Sequence, residues 1–332
     1  MKILVTGAAG FIGSHVAEAL LRRGDEVVGV DNFNAFYDPA IKEANVEEVR
    51  ASARASGREH AFQMVRADIV HDDLSSLFTP ENRPDVVCHL AAWAGVRPSI
   101  VNPLIYQSVN VEGTLKLLEL ARHNGVKPFV FASSSSVYGA RREVPFREDD
   151  RVDDPISPYA ATKKAGELIG YTYHHLHGLR FFGLRFFTVY GPRQRPEMAI
   201  HLFARAILDG KPIRMHGDGE SSRDYTYIDD CVQGVVAAID RSARVDDGEG
   251  YRIYNLGCSD TTSLRGLVST IETALGKKAQ IEHAPDQPGD VPLTFADIQR
   301  AQAELGYNPT TPIPDGVPKF VEWLKRRRGE SS

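Results

Sequence analysis

The sequence predicts an α/β protein in which a doubly wound parallel sheet is followed by a smaller C-terminal lobe. In the first half of the chain, short and uninterrupted apolar runs alternate with helical patterns, which is typical of a parallel sheet covered by helices on both faces. Right-handed crossovers turn such an alternation into a doubly wound sheet. After residue 187 the chain changes to loops rich in proline, glycine and arginine, which indicates a separate lobe.

The elements follow one another at short intervals. Apolar runs predict strands at residues 3–5, 26–30, 62–65, 86–90, 129–132, 181–187 and 252–256. Helical patterns cover residues 14–23, 41–55, 103–123, 158–177 and 228–239. We therefore assign residues 1–187 and 225–257 to the sheet domain, and residues 188–224 and 258–332 to a lobe that covers a substrate.

Composition excludes several classes of protein. The chain has 332 residues, a net charge of −5 and 42% hydrophobic residues, unlike a collagen-like or disordered chain. A slight acidic excess disfavours general nucleic-acid binding, and no apolar run reaches the roughly 18 residues of a membrane span. Cys88, Cys231 and Cys258 have neither metal-ligand spacing nor a disulfide pattern. We expect a cytoplasmic protein with no metal, no membrane contact and no nucleic-acid partner.

A glycine-rich loop follows the first strand and opens the first helix. Gly7, Gly10 and Gly13 form the pattern G-x-x-G-x-x-G, which permits a tight turn and lets backbone N–H groups approach a pyrophosphate at a helix N-terminus. Asp31 ends the next strand, 24 residues after the first glycine, where an acid binds a ribose diol. Since no arginine replaces this acid, the sequence predicts NAD rather than NADP.

Two further strand ends belong to the same edge of the sheet. Asp68 follows the third strand and either contacts the adenine or caps a helix. Leu90, Ala91 and Ala92 end the fourth strand with small residues, which suits a backbone that passes close to a flat cofactor.

A tyrosine and a lysine share one face of a predicted helix. Tyr159 and Lys163 are four residues apart, and this spacing places them about one turn apart. An ammonium near a phenol favours the phenolate and lowers the phenol pKa from about 10, so that the phenolate can take a proton from an alcohol. Residues 133–136 are four serines at the carboxyl end of the fifth strand, where a hydroxyl can orient the oxygen of a substrate.

These motifs together resemble the extended short-chain dehydrogenase/reductase family of nucleotide-sugar enzymes, whose sheet is of the Rossmann type. The resemblance extends over nearly the whole chain and is strongest at residues 6–13, 89–92, 134–139, 159–163 and 223–230. It implies that Tyr159 is the base, Lys163 its electrostatic partner and Ser134 a hydroxyl that positions the substrate.

The resemblance also implies two sets of binding residues. The residues expected to bind NAD are Gly7, Gly10, Phe11, Ile12, Gly13, Asp31, Asn32, Asp68, Ile69, Leu90, Ala91, Ala92, Asn110, Ser133, Tyr159 and Lys163. The residues expected to bind a UDP-sugar are Gly95, Val96, Arg97, Ser134, Ser135, Ser136, Thr188, Arg193, Arg195, Met198, Leu202, Arg214, Arg223 and Asp290.

Three reactions of this family compete: dehydration, decarboxylation and epimerisation. The family's 4,6-dehydratases carry Asp and Glu directly before Val-Tyr-Gly, and its uronate decarboxylases carry Glu at the second of these positions. This chain has Ser135 and Ser136 there. The resemblance therefore implies epimerisation at carbon 4 through a 4-keto intermediate.

The sugar is predicted from the loop at residues 188–196. This loop resembles that of the family's UDP-glucuronate 4-epimerases, which convert UDP-glucuronic acid to UDP-galacturonic acid. Guanidinium groups bind phosphate and carboxylate well, and Arg97, Arg193, Arg195 and Arg223 are available for both. We hypothesise that Arg195 and Thr188 hold the sugar carboxylate and so suppress decarboxylation. The alternative is that Arg193 and Arg195 bind diphosphate or pair with nearby acids.

Other functions remain open from the sequence. One is a 4-epimerase for UDP-glucose or UDP-N-acetylglucosamine, and another is a non-catalytic NAD-sensing protein of the same fold. The resemblance also implies a homodimer formed through the helices at residues 103–123 and 158–177.

Overall fold

A computed structural model describes residues 1–245, 249–285 and 291–330. The strands are β1 Lys2–Thr6, β2 Glu26–Asp31, β3 Phe62–Arg66, β4 Val86–His89, β5 Pro128–Ser134, β6 Arg180–Phe186, β7 Thr188–Tyr190, β8 Ile213–His216, β9 Ser222–Arg223, β10 Tyr225–Tyr227, β11 Tyr251–Leu256, β12 Thr262–Ser263 and β13 Ile281–Ala284.

The helices lie between and after these strands. They are α1 Phe11–Arg23, α2 Pro39–Ala55, α3 Val96–Val101, α4 Pro103–Tyr106, α5 Thr114–His123, α6 Pro158–His177, α7 Ala199–Leu208, α8 Ile228–Arg244, α9 Leu264–Leu275, α10 Gln299–Leu305 and α11 Ile313–Arg327. None of the helices in the described part of the chain has the length and apolar character needed to traverse a lipid bilayer.

Within the described residues the central sheet has seven strands in the order β11-β6-β5-β4-β1-β2-β3, and all of its pairings are parallel. This confirms the predicted fold class. The strand order reverses between β1 and β4, where Thr6 pairs with Val30 on one side and with His89 on the other. Ligands of doubly wound sheets bind in the crevice at such a reversal, at the carboxyl ends of the strands.

Alternate side chains of each strand enter two different cores, because successive residues of a strand point to opposite faces. Ile3 and Val5 are fully buried with residues of α1 and α8, whereas Leu4 packs with Leu117 and Ala121 of α5. The sheet is thus covered on both faces, which explains why inner strands such as β1, β4 and β5 are largely continuous apolar runs without alternation.

The helix predicted at residues 103–123 is interrupted. A π-helical segment, Gln107–Gly113, lies between α4 and α5. It contains Asn110, whose side chain accepts from Trp93 N at 2.8 Å and donates to Trp93 O at 2.9 Å. The wider turn accommodates this tertiary contact, in agreement with the frequent occurrence of π-bulges at functional sites.

Residues after Phe187 add short two-stranded sheets outside the central one. They pair β7 with β10, β8 with β13 and β9 with β12, and α7, α9 and α11 pack beside one another. Only β11 of this part joins the central sheet, among the described residues. The exact division into two domains stays a prediction.

Candidate active site

A cavity of about 250 Å³ opens at the carboxyl ends of β1, β2, β4 and β5. It brings together most residues that the sequence predicts for the cofactor, the three predicted catalytic residues, and three of the predicted substrate contacts, Ser134, Arg195 and Met198. Those in its wall are Gly7, Gly10, Phe11, Ile12, Gly13, Asp31, Asn32, Asp68, Ile69, Leu90, Ala91, Ala92, Ser133, Ser134, Tyr159, Lys163, Arg195 and Met198.

The glycine loop is shaped for close backbone approach. Gly7 has φ 71°, and a Cβ there would lie 2.9 Å from Ala91 N. A Cβ on Gly13 would collide with the carbonyl oxygen of Gly7. Among the described residues no side chain caps the N-terminus of α1, and its first turn holds no acid. The open N–H groups and the helix dipole fit an anionic pyrophosphate.

Asp31 is a buried carboxylate at the end of β2, where it lines the cavity. Its Oδ2 accepts from Ala9 N at 3.2 Å and its Oδ1 from Phe33 N at 2.8 Å. Lys42 Nζ lies 3.8 Å from Oδ1. These contacts fix the carboxylate, and each oxygen has further lone pairs for a ribose hydroxyl.

Asp68 lines the cavity, and its Oδ1 accepts from Val70 N at 2.8 Å. The residues directly after it form a turn and not a helix, so the helix-cap alternative is wrong and the adenine contact stays a prediction. Asp68 Oδ2 accepts from Asn32 Nδ2 at 2.7 Å. Burial raises the pKa of this carboxyl, but the hydrogen bonds from Asn32 and from the backbone outweigh it and leave the pKa below its usual value.

Tyr159 lies in the first turn of α6. Ser157 caps this helix by accepting from Ala160 N at 3.1 Å, and Pro158 occupies its first position, which favours helix initiation. The Tyr159 phenol is hydrogen-bonded to the Ser134 side chain at the end of β5. Lys163 Nζ donates to Ala132 O at 2.7 Å and lies 5.9 Å from the centroid of the Tyr159 ring.

The pKa of the Tyr159 phenol shifts in the direction opposite to the prediction. Burial raises it above its usual value, while the Ser134 hydrogen bond and the positive charge of Arg195 act against that increase. Lys163 is itself buried, and desolvation lowers its pKa to about 7. The prediction of a lowered phenol pKa is therefore wrong for this structure, because burial dominates and weakens the lysine charge that was expected to oppose it.

A loop with aromatic residues, at positions 32–37 after β2, contributes to the cavity wall. Its aromatic side chains were not predicted as part of the site. Phe36 packs edge-on against Trp93, with 5.0 Å between ring centroids. The Arg195 guanidinium lies 5.5 Å from the Phe36 ring centroid, and Tyr37 lines the same wall. The signal available was the polar and aromatic run at residues 32–37, directly after the strand that ends in Asp31.

A second cavity of about 920 Å³ adjoins the first, and Met198 belongs to both walls. From the predicted set it contains Arg97, Thr188, Met198, Leu202, Arg214 and Arg223. These arginines come from three separate elements, α3, β8 and β9. Glu197, Asp218 and Glu220 line the same cavity, so it is the part of the wall formed by the arginines that suits an anionic group such as a diphosphate. Gln194, Phe203, His216 and Tyr225 also line it and were not predicted.

Arg193 does not lie with the predicted substrate-binding residues. It is in neither of the two cavity walls described above, since its guanidinium is ion-paired with Glu18 and Glu48 of α1 and α2. The prediction that it binds substrate is wrong, and the alternative that it pairs with acids is correct.

Asn110 is also placed differently from its predicted cofactor contact. Its amide is buried behind the cavity and bonded to the backbone of Trp93 and to Thr162. Gly95, Val96, Ser135 and Ser136 are chain neighbours of lining residues but are not in either wall. Asp290 lies outside the described residues.

The described residues contain no group of three His, Cys, Asp or Glu side chains able to hold a metal ion. The cavities and their charged side chains suit an organic ligand with anionic groups. Such a ligand would extend from the glycine loop past Tyr159 toward the arginines of the larger cavity.

Comparisons with known proteins agree with this geometry. A model of the NAD dependent epimerase/dehydratase family matches residues 3–257. The UDP-glucuronate 4-epimerase of Thermodesulfobacterium geofontis is 43% identical over 97% of this chain and 95% of its own. The UDP-glucuronate 4-epimerase 4 of Arabidopsis thaliana is 46% identical over 97% of this chain and 75% of its own.

A solved structure shows the same architecture. It is UDP-glucuronic acid 4-epimerase from Bacillus cereus in complex with UDP-glucuronic acid and NAD, which superposes with a TM-score of 0.88 and 38% sequence identity. The match covers 98% of this chain and 100% of that one.

Proposed function

Because this chain belongs to the NAD dependent epimerase/dehydratase family, we propose that it is an NAD-dependent epimerase that inverts carbon 4 of UDP-glucuronic acid to give UDP-galacturonic acid. One observation carries the proposal: Arg195 lines the same cavity as Tyr159, Ser134 and Lys163. A cation suited to a carboxylate thus lies beside a phenol suited to proton transfer. Two relatives that match nearly the whole chain are UDP-glucuronate 4-epimerases.

The side chains around the smaller cavity supply acid–base chemistry. Because burial raises the pKa of Tyr159, its phenol must first lose its proton. The resulting phenolate then takes the proton of the 4-hydroxyl, and Ser134 holds the same sugar oxygen by a hydrogen bond. The 4-keto sugar then rotates to present its opposite face, and Tyr159 returns the proton to the oxygen of the inverted alcohol. When bound, NAD would supply the hydride acceptor for carbon 4 and the hydride donor that restores the alcohol with inverted configuration.

The cofactor would lie along the glycine loop. The open N–H groups at the start of α1 would receive its pyrophosphate, and Asp31 would bind the hydroxyls of the adenosine ribose. Asp68, which lines the same cavity, would contact the adenine. Lys163, which is already next to Tyr159, would bind the second ribose.

The nucleotide part of the substrate would occupy the larger cavity. Arg97, Arg214 and Arg223 line it together and can divide the diphosphate charge between them. Met198, at the junction of the two cavities, would mark the passage from nucleotide to sugar.

Arg195 of the smaller cavity and Thr188 of the adjoining larger one would hold the sugar carboxylate where the two cavities meet. A 4-keto uronic acid is a β-keto acid, which loses carbon dioxide readily when its carboxylate is oriented for bond cleavage. A charged hydrogen bond from Arg195 would keep this carboxylate ionised and away from that orientation. This arrangement accounts for epimerisation without loss of carbon dioxide.

We also propose a homodimer, a cytoplasmic location and the two-domain division predicted from the sequence. Exposed apolar side chains on α5 and α6, including Leu115, Leu168, Tyr171 and Leu176, support a dimer through these helices. The free cysteines Cys88, Cys231 and Cys258 support a reducing compartment.

Product analysis tests the function. The purified protein is incubated with NAD and UDP-glucuronate, with UDP-glucose in a parallel sample, and the sugar is identified by NMR. Formation of galacturonate from UDP-glucuronate, with no conversion of UDP-glucose in the parallel sample, supports the proposal. Formation of pentose would indicate decarboxylation, turnover of UDP-glucose alone would indicate a neutral-sugar epimerase, and no reaction would indicate a non-catalytic NAD-binding protein.

A further inference from the structure

Arg193 carries a buried charge that is neutralised by two glutamates of other elements. Only 7% of the residue is exposed. Its Nε donates to Glu48 Oε2 at 2.6 Å and its Nη2 to Glu18 Oε2 at 2.9 Å. Its Nη1 also approaches Ser14 Oγ at 3.5 Å. Because an unpaired buried guanidinium is costly, these partners hold the side chain in one place.

The backbone at Arg193 is equally constrained. Its φ is 62°, in the left-handed region that residues with a Cβ rarely occupy. Gln194 N donates to Gly191 O at 3.1 Å, which closes a tight turn after β7. The Gln194 carbonyl is held in turn by His201 Nδ1 at 2.8 Å. Such a conformation persists where the surroundings determine it, and the ion pairs of Arg193 are part of those surroundings.

Arg195 leaves the same turn in another direction. It lines the smaller cavity, and its Nε lies 3.1 Å from Glu197 Oε1. Arg195 and Glu197 both belong to the segment of residues 191–198, which we call the arginine loop. The direction in which this pair points therefore depends on how the arginine loop is anchored to the rest of the molecule.

We propose that Arg193 is a positioning residue for uronic-acid specificity. Its ion pairs with Glu18 and Glu48 anchor the arginine loop so that Arg195 reaches the carboxylate of the sugar. Glu18 lies on α1, the helix that begins at the glycine loop, so the anchor also fixes Arg195 relative to the cofactor site. This inference rests on the proposed function and adds a residue that touches neither substrate nor cofactor.

The test uses the NAD-loaded full-length protein. Dissociation constants for UDP-glucuronate and for UDP are measured by calorimetry, together with kcat and KM, for Arg193→Lys and for the double variant Glu18→Gln/Glu48→Gln. We expect UDP-glucuronate binding to weaken and KM to rise about tenfold, which corresponds to about 1.4 kcal/mol. UDP binding and kcat should change less than about threefold, which corresponds to under about 0.7 kcal/mol.

A matched control is Asp240→Asn. It removes an ion pair of 2.7 Å between Asp240 and Arg23, at the opposite end of α1 from the cavity. All of its constants should equal those of the wild type. A loss of UDP-glucuronate binding in this control as large as that in Arg193→Lys would overturn the proposal, because the effect would then be a general one on α1.

A double-mutant cycle separates positioning from general stability. In an Arg195→Ala background, Arg193→Lys should have no further effect on UDP-glucuronate binding. A full additional loss there, or an equal loss of UDP binding, contradicts the proposal. If Arg193→Lys does not fold, Glu48→Gln alone, at a position 34% exposed, provides the same comparison. Wild-type protein that makes no galacturonate would contradict the proposed function, and the binding constants would still decide whether Arg193 directs Arg195.

Discussion

Lys163 and Ala132 are joined by a hydrogen bond of 2.7 Å from the ammonium nitrogen to the carbonyl oxygen. The bond connects α6 to the end of β5 beneath the cavity. It is the polar contact that holds a fully buried lysine, whose pKa is lowered to about 7 by desolvation.

The pH dependence of stability should report this buried lysine. Between pH 7 and the ordinary lysine pKa of 10.5, the unfolded chain binds a proton that the folded NAD-free protein does not. The contribution of Lys163 to stability therefore increases with pH in this window, by about 1 kcal/mol per pH unit. Urea unfolding at pH 7 and pH 9 should show a larger gain for the wild type than for Lys163→Met. Lys164→Met, on the same helix, should keep the wild-type dependence, and an identical gain in Lys163→Met would disprove the assignment.

Tyr159→Phe should abolish epimerisation and leave the fold intact. The substitution removes only the phenolic oxygen, and loss of a general base costs about 10²- to 10⁴-fold in rate. Initial rates with UDP-glucuronate, followed by NMR, measure the effect. Thr172→Val is the control, since Thr172 is an exposed residue of the same helix and the substitution also removes one hydroxyl. A variant Tyr159→Phe with nearly full activity would exclude the phenol as the base.

Arg195→Ala should weaken the binding of the sugar carboxylate that we propose Arg195 and Thr188 hold. Loss of a charged hydrogen bond costs about 1.5–3 kcal/mol, so we expect KM for UDP-glucuronate to rise by about one to two orders of magnitude. Pentose should appear as a by-product, since the carboxylate is no longer held. Arg205→Ala, on the exposed face of α7, serves as the control. An unchanged KM together with no pentose in Arg195→Ala would show that Arg195 does not hold the sugar carboxylate.

Asp31→Ser should weaken NAD binding about tenfold, because a ribose diol loses its charged acceptor and a hydrogen bond to a charged group contributes about 1.5–3 kcal/mol. Binding of NADP should weaken less or improve, since the repulsion of a 2′-phosphate is removed. Calorimetric titration with each dinucleotide gives both constants. Glu26→Gln, at the other end of β2, is the control. A variant that binds NAD as tightly as the wild type would show that Asp31 faces something other than the ribose.

Local sequence predicted the parts of the site that depend on local geometry. The glycine loop, Asp31 at a strand end, and Tyr159 with Lys163 on one helix face all follow from spacing within one or two elements. The structure brings these residues into one cavity because parallel strands end at the same edge of the sheet.

Properties that arise between distant elements were not predictable in this way. Arg193 and Arg195 are identical in type and two residues apart, yet a turn with φ 62° directs one to Glu18 and the other to the cavity. The contact between Phe36 and Trp93 joins loops after different strands. The raised pKa of Tyr159 depends on how deeply the whole protein buries it, which spacing alone does not reveal.

The shared wall at Met198 has a consequence for the fate of the reactive ketone. A ligand tethered by its charged tail among the arginines of the larger cavity can rotate its sugar head in the smaller one about the linkage between them. The oxidised sugar then presents its opposite face to the cofactor while the nucleotide diphosphate stays bound. Little of the unstable ketone should therefore dissociate into solution. The protein can invert the configuration of carbon 4 while the intermediate stays bound.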